Sequence, residues 1–248
     1  MKLRNYTFDF YPDFPNDFVL EDRVDPDGQS RVLYDDLLKI FFNEEAKKKL
    51  GIESVKRKGC SLLINEGDYI ITSDYIGASV NWGIRAGLTF DDSINLISIS
   101  RTIGGHVMFP KGGRKQTVNQ ARGGSVGYYD RFDLTLFAIK SWFKGEGNIK
   151  IKRAIDNYKE WFNLFRDADN SEKSFINFIE FFKLEEFVSE KYDVIDLIKS
   201  DIENGTIVYL NKEDIYIPKM RPDYLHYVKN SNAIILKRTK KLVKILEQ

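Results

Sequence analysis

Helical periodicity dominates the second half of this sequence and does most to constrain its fold. The clearest case is the stretch 130–144, where apolar side chains recur at spacings of four, three and four residues, at Phe132, Leu136, Ile139 and Phe143. This repeat lines up one face of a helix, which must then pack against a core. Similar patterns follow at 151–166, 172–187, 193–203 and 223–247. We therefore expect the C-terminal half to be mainly helical.

The first half contains shorter and more varied patterns. The stretch 34–50 indicates a helix that ends at Gly51. Two short apolar runs within 61–73 flank the polar tetrapeptide Asn-Glu-Gly-Asp, which is typical of a hairpin. The stretch 106–110 ends in a proline and indicates a short strand that enters a loop.

The predicted fold class is α+β. A mixed N-terminal half with short strands and a Gly-rich loop precedes a helix-dominated C-terminal half. We expect a single domain over 1–248, with a subdivision into a mixed part, 1–129, and a mainly helical part, 130–248, as the alternative. No internal repeat or low-complexity linker marks a further boundary.

Length and composition exclude several classes of protein. A chain of 248 residues with 42% hydrophobic residues can bury a core without disulfides or a metal. Cys60 is the only cysteine, so one chain cannot form a disulfide or a cysteine-based zinc site. Apolar runs fall far short of the roughly 20 residues that span a bilayer, and the N-terminus lacks the apolar region of a signal peptide. We expect a cytoplasmic protein with no membrane segment.

The net charge of +1 conceals two basic regions. The stretch 101–131 carries a balance of +5, and the stretch 219–248 carries a balance of +6. Clustered positive charge attracts anionic partners, such as a nucleotide, a nucleic acid or an acidic protein. The alternative for the C-terminal region is a solvated helix face.

The segment 100–133 holds the densest set of functional groups. It contains seven of the 17 glycines, and 111–129 has so little apolar content that we predict a functional loop there and not a packed element. Glycines let backbone N–H groups approach an anion, and arginine binds phosphate in a bidentate manner. The candidate ligand-binding residues are Arg101, Arg114, Gln116, Asn119, Arg122 and Arg131. A long hairpin with glycines at its turns would explain the same residues, and no Walker motif is present.

His106 and Asp133 are the candidate catalytic residues, each as a general base. Arg101 and His106 also match the R-x4-H spacing of HEPN ribonucleases, in which both residues lie on one helix. Gly104 and Gly105 interrupt any continuous helix here, so the alternative is a histidine satisfied by hydrogen bonds near a turn.

The N-terminus of the predicted helix at 130–144 allows two interpretations. Asp130 is the expected N-cap, and Asp133 places a second carboxylate in the first turn, so this helix end does not attract phosphate. Together with Arg131 they form either a structural cap and ion pair or a group that orients Arg122 and Arg114 toward a ligand.

Three blocks of the chain resemble an uncharacterised bacterial protein family, a domain of unknown function. The blocks are TIGGHVMFP at 102–110, QTVNQARG at 116–123 and DRFDLTL at 130–136. The resemblance implies that these blocks form one unit. It implies no activity, cofactor or fold. As functional residues it favours Asn119, Arg122, Arg131 and Asp133 over His106.

Two functions follow from the sequence. The first is a bacterial or phage protein that binds a nucleotide or nucleic acid phosphate through 101–133, with nuclease or nucleotide-transfer chemistry of a toxin or phage-defence type. The second is a non-enzymatic interaction module whose basic C-terminal helix binds an acidic protein or RNA.

Overall fold

A computed structural model describes residues 30–77, 83–84, 87–89, 91, 99–112, 114–124, 130–146, 151–212 and 221–248. Within these residues the chain combines one antiparallel sheet with helices, which confirms the predicted α+β class. The chain ends in its longest described helix, so the helix-dominated C-terminal half is also confirmed.

The sheet has the strand order β1-β2-β3-β4. Its strands are β1 (Val55–Arg57), β2 (Leu62–Ile64), β3 (Tyr69–Tyr75) and β4 (His106–Pro110). The hairpin predicted within 61–73 is therefore confirmed as β2 and β3, and the strand predicted at 106–110 is confirmed as β4. β4 pairs with β3 so that Tyr75 faces His106 at one end and Ile71 faces Pro110 at the other.

The helix predicted at 34–50 is two helices, α1 (Arg31–Phe41) and α2 (Glu44–Leu50). Asn43 causes the break, because its side chain accepts a hydrogen bond from the Ala46 N–H at 2.9 Å and so begins a new helix. The predicted stop is confirmed: Gly51 takes the left-handed conformation at φ 65°.

The predicted loop at 111–129 contains a packed helix, α3 (Val118–Gly124), so the expectation of a segment without a packed element was wrong for its described part. Thr117 and Gln120 form a capping box, in which each side chain accepts the other residue's backbone N–H at 3.1 Å. Val118 and Ala121 are buried against the core. Residues 113 and 125–129 lie outside the described part.

The predicted helix at 130–144 is α4 (Phe132–Phe143), and Gly145 follows it at φ 75° as expected. The prediction of Asp130 as N-cap was wrong. Asp130 lies before the cap in a left-handed conformation, at φ 58°, and Arg131 occupies the cap position without a capping side-chain bond. The Asp130 carboxylate accepts instead from Arg122, which removes it from the helix end.

The patterns at 151–166 and 172–187 are helical but broken into shorter pieces. They form α5 (Lys152–Asp156), α6 (Lys159–Asn163), α7 (Ser171–Phe181) and the 3-10 turn Glu185–Phe187. Their aromatic side chains pack into one core, in which the rings of Phe165, Phe178 and Phe182 lie within 6 Å of one another.

The prediction of a helix at 193–203 was wrong. Val194, Ile195 and Asp201 form isolated β-bridges, and the Asp196 carboxylate accepts from the backbone N–H groups of Ile198 and Lys199. A side chain that captures backbone donors in this way competes with the helical pattern.

The chain ends in the long helix α8 (Arg221–Leu246), which confirms the helix predicted at 223–247. Its inner face packs against the 3-10 turn Ile103–Gly105 and buries Tyr224, Tyr227 and Ile235. None of the described helices combines the length and hydrophobicity needed to span a bilayer.

Candidate functional site

Four of the predicted site residues converge on Tyr75, at the end of β3. The Arg101 guanidinium carbon lies 3.6 Å from the centre of the Tyr75 ring, and the His106 ring lies 4.8 Å from it. Arg122 Nη2 donates to the Tyr75 carbonyl at 2.5 Å and to Asn119 Oδ1 at 3.0 Å. We call these five residues the Tyr75 cluster. Residues from both ends of the stretch 101–122 therefore lie together around Tyr75, which is 26 residues before Arg101 in the sequence.

His106 begins β4 and is separated from Arg101 by a 3-10 turn, so the two do not share a helix as in a HEPN site. Its Nδ1 lies 2.8 Å from Ser73 Oγ, and the Ser73 backbone N–H donates to the Tyr34 hydroxyl at 3.0 Å. His106 is 0% exposed. This is the hydrogen-bonded histidine of the structural alternative, and as described it presents no surface to a substrate.

Arg122 is also buried, at 1% exposure, and its charge is matched within the protein. Its Nε donates to Asp130 Oδ1 at 2.5 Å. Burial alone would lower the pKa of Arg122, but the charges of Asp130 and Asp74 outweigh burial and raise the pKa overall. This charge-assisted bond joins α3 to Asp130, which directly precedes the N-cap residue of α4.

A second buried ion network lies at the start of α4. Arg131 donates to Asp133 with Nε at 3.0 Å and with Nη2 at 2.5 Å, and Nη2 also donates to Asp196 at 3.0 Å. Asp133 accepts further from the Leu134 and Leu197 backbone N–H groups, both at 2.9 Å. Both oxygens of Asp133 are thus occupied, and this arrangement supports a structural role for the pair.

The glycines at 104 and 105 have a packing explanation. A Cβ built on Gly104 would lie 2.4 Å from the Ile235 carbonyl oxygen and 2.5 Å from the Thr239 backbone nitrogen, both in α8. A Cβ on Gly105 would lie 2.1 Å from the Ser100 carbonyl oxygen. These glycines allow backbone to approach backbone, and nothing here requires an anion to explain them.

Arg114 and Gln116 lie away from the Tyr75 cluster, after the far end of β4. Arg114 lines an open cleft of about 550 Å³ between the start of β3, the segment after β4 and the 157–161 stretch. The polar and aromatic residues that line this cleft are Asp68, Tyr69, Lys111, Arg114, Lys115, Asn157, Tyr158, Glu160 and Trp161. We call it the β3–β4 cleft.

The segment 112–116 forms one wall of the cleft and is held in place from the opposite wall. The Tyr158 hydroxyl donates to the Gly112 and Lys115 carbonyls at 3.2 and 3.3 Å. Asn157 Nδ2 donates to the Gln116 carbonyl at 3.1 Å, and Lys115 Nζ donates to the Asn157 carbonyl at 3.3 Å. Gln116 thus anchors the wall through its backbone.

The cleft contains charges of both signs. Lys111, Arg114 and Lys115 are exposed cations, and Asp68 and Glu160 are exposed carboxylates. None of the five forms an ion pair with a residue in the described part of the chain. Burial, then the charges of Asp68 and Glu160, raise the pKa of Tyr69, so these carboxylates lie close enough to act on its hydroxyl.

Only one wall of this cleft has a recognisable pattern in the sequence. Lys111, Arg114 and Lys115 stand out as a basic run around two glycines, but Asp68, Tyr158 and Glu160 belong to segments with no unusual composition. Their contribution depends on tertiary packing. Among the described residues, no group of three His, Cys, Asp or Glu side chains is arranged to hold a metal ion.

Comparison with known proteins identifies a family and no activity. A family model described as "Family of unknown function (DUF6994)" matches residues 4–242. No curated protein and no solved structure gives a significant match. Because the family model covers nearly the whole sequence, this chain belongs to DUF6994, a family of unknown function.

Proposed function

We propose that the β3–β4 cleft binds a phosphate-bearing ligand, either a nucleotide or the phosphate of a nucleic acid. The observation that carries the proposal is that three cations, Lys111, Arg114 and Lys115, line one cleft without an ion-pair partner among the described residues. Arginine and lysine side chains with unused donors are the usual protein ligands of phosphate. A cleft of about 550 Å³ is within the size range of small-molecule sites.

The buried arginines Arg122 and Arg131 do not contact the ligand in this proposal. Arg122 and Arg131 are 1% and 0% exposed, and each has carboxylate partners inside the protein. Moving the Arg131 guanidinium out to a ligand would leave the buried Asp133 carboxylate without its cation, which is costly, and moving Arg122 would break its bond to Asp130. Among the predicted ligand-binding arginines, Arg114 therefore binds the ligand, and Arg122 and Arg131 support the fold.

The proposed function is binding and does not include catalysis by His106 or Asp133. β4 places His106 four residues before Pro110, which is about 13 Å along the strand. A phosphate at Arg114 is thus out of reach of His106. Nuclease or nucleotide-transfer chemistry, as in a toxin or phage-defence enzyme, would need a general base that contacts the ligand. Asp68 and Glu160 are the carboxylates that line the described cleft.

A second candidate function uses the outer face of α8. Lys237, Lys240, Lys241 and Lys244 are all exposed and follow the three and four residue spacing of one helix face. Only Lys241 of these has an ion pair within the described chain, with Glu185 at 2.8 Å. Such a stripe suits an RNA backbone or an acidic protein surface.

Charge reversal at one site or the other separates the two candidates. We expect tripolyphosphate, ATP or a short RNA to raise the melting temperature of the wild-type protein. A ligand at 100 times its Kd adds about 2.7 kcal/mol of stability. Arg114→Glu should abolish the shift, and the matched variant Lys240→Glu, also an exposed cation, should retain it.

The opposite pattern, loss with Lys240→Glu and retention with Arg114→Glu, would support the helix face and contradict the cleft. Absence of a shift with every phosphate-bearing ligand would contradict phosphate binding at both places.

A further inference from the structure

The β3–β4 cleft holds carboxylates next to cations, and none of them has an ion-pair partner among the described residues. Asp68 and Glu160 line it together with Lys111, Arg114 and Lys115, and no ion pair joins the two groups in the described chain. An ion pair between exposed side chains is worth at most about 1 kcal/mol, so a ligand that binds either group competes with little. The cleft therefore combines hydrogen-bond donors on Lys111, Arg114 and Lys115 with acceptors on Asp68 and Glu160.

The cations and the carboxylates of the cleft lie close to each other. The Lys111 backbone N–H donates to the Ile70 carbonyl at 2.7 Å, so Lys111 lies across from Ile70, two residues from Asp68. With a rise of about 3.3 Å per residue and about 5 Å between paired strands, the Cα atoms of Lys111 and Asp68 are on the order of 8 Å apart. A ligand that joins its anionic group to its hydroxyl groups through one sugar ring can therefore contact both the cations and the carboxylates.

A bare, fully ionised phosphate cannot form hydrogen bonds with the carboxylates of Asp68 and Glu160. Carboxylates accept hydrogen bonds and cannot donate them when ionised, so Asp68 and Glu160 repel phosphate oxygens and attract hydroxyl groups. A ribose presents two neighbouring hydroxyl donors, and proteins of other folds use a carboxylate to bind the ribose 2′-hydroxyl. The half-buried rings of Tyr69 and Tyr158 provide flat apolar surface for the sugar or base.

One buried donor in the cleft lining also lacks a partner. Trp161 is 0% exposed and lines the cleft, and its Nε1 has no hydrogen-bond partner among the described residues. A buried indole N–H normally finds an acceptor. A hydroxyl or phosphate oxygen of a ligand is such an acceptor.

We propose that the β3–β4 cleft selects a ribose phosphate over a deoxyribose phosphate. Lys111, Arg114 and Lys115 bind the phosphate, and the carboxylates of Asp68 and Glu160 accept hydrogen bonds from the ribose 2′ and 3′ hydroxyl groups. This inference rests on the proposed function, because it names the class of ligand for the same cleft.

The test compares ATP, dATP and tripolyphosphate by isothermal titration calorimetry of the full chain. One lost hydrogen bond to a charged acceptor should make dATP bind about tenfold more weakly than ATP. The double variant Asp68→Ala, Glu160→Ala should bind ATP and dATP equally and should bind tripolyphosphate more tightly than the wild type does. Both residues are exposed, so the variant should fold normally.

The matched control is Glu190→Ala, which removes an exposed carboxylate outside the cleft lining and should keep the tenfold preference. Equal binding of ATP and dATP by the wild type, with tripolyphosphate also bound, would overturn the ribose inference and leave the phosphate proposal standing. A preference that survives in the double variant would also overturn it. If none of the three ligands binds, both proposals are wrong.

Discussion

Replacement of Gly104 by alanine tests whether the glycines at the start of β4 serve packing or ligand binding. In the structure the added Cβ would lie 2.3 Å from Thr239 Oγ1, 2.4 Å from the Ile235 carbonyl oxygen and 2.5 Å from the Thr239 nitrogen. Two of these three atoms belong to the backbone of α8, so a side-chain rotation cannot relieve the contact. Either α8 or the 3-10 turn Ile103–Gly105 must move.

The cost of that movement can be bounded. Overpacking a well-packed interior typically costs 1–3 kcal/mol, and backbone contacts put this site at the upper end, about 3 kcal/mol. The movement also disturbs the bond from the Gly104 N–H to Thr239 Oγ1 at 3.1 Å and the bond from Arg238 Nη1 to the Gly104 carbonyl at 2.6 Å. For a chain of this length the melting temperature should fall by roughly 6–12 °C.

Urea unfolding followed by circular dichroism measures the effect, with Gly123→Ala as the matched control. Gly123 lies in α3, and its added Cβ would meet nothing closer than Asp130 Oδ1 at 3.8 Å. We expect that variant to be unchanged or about 0.4–1 kcal/mol more stable. If Gly104→Ala unfolds within about 0.5 kcal/mol of the wild type, the close approach to α8 does not explain the glycine.

Two further predictions concern the buried polar groups near α4. Asp133→Ala should lower the free energy of unfolding by about 3–5 kcal/mol, because it leaves the Arg131 guanidinium buried with one carboxylate fewer; the exposed ion-pair partner changed in Asp193→Ala should matter by less than about 1 kcal/mol in the same denaturation assay. Burial and then the charge of Asp133 raise the pKa of Tyr227 above its ordinary value of 10.0, so the protonated form stabilises the fold fully below pH 10 and this contribution is lost as the pH rises further. The free energy of unfolding of Tyr227→Phe should therefore fall less steeply than that of the wild type as the pH rises above 10. At neutral pH the variant should lose about 1–3 kcal/mol, because the Phe132 N–H loses its acceptor. An unchanged alkaline transition would contradict this assignment.

The sequence predicts the elements whose signal is local. The apolar repeat that defines α4, the turn residues between β2 and β3, and the glycines at 51 and 145 all act through their near neighbours. The helix α3 had a local signal as well, the capping pair Thr117 and Gln120, but the high content of glycine and polar residues around it points to a loop. Propensity and capping disagree there, and the buried Val118 side chain favours the helix.

The candidate site depended on contacts that the sequence cannot reveal. Arg122 and Arg114 look equivalent in a basic segment, yet Arg122 packs inside with Asp130 and Arg114 stays exposed in the cleft. Asp196 captures the backbone N–H groups of Ile198 and Lys199, and its pairing with Arg131, 65 residues away in sequence, holds it in that position. Charge patterns identify where cations are dense, and tertiary packing determines which of them remain available.

The guanidinium of Arg238 has a consequence for the order in which this chain can fold during synthesis. It is 0% exposed and donates to four backbone carbonyls, those of Gly104, His106, Phe182 and Lys183. Arg238 leaves the ribosome 132 residues after His106, which is roughly 7–26 s at 5–20 residues per second. Throughout that interval the start of β4 lacks the donor that satisfies it in the finished protein. This end of the sheet is therefore completed only after Arg238 has been synthesised, because its guanidinium supplies the donors to the Gly104 and His106 carbonyls.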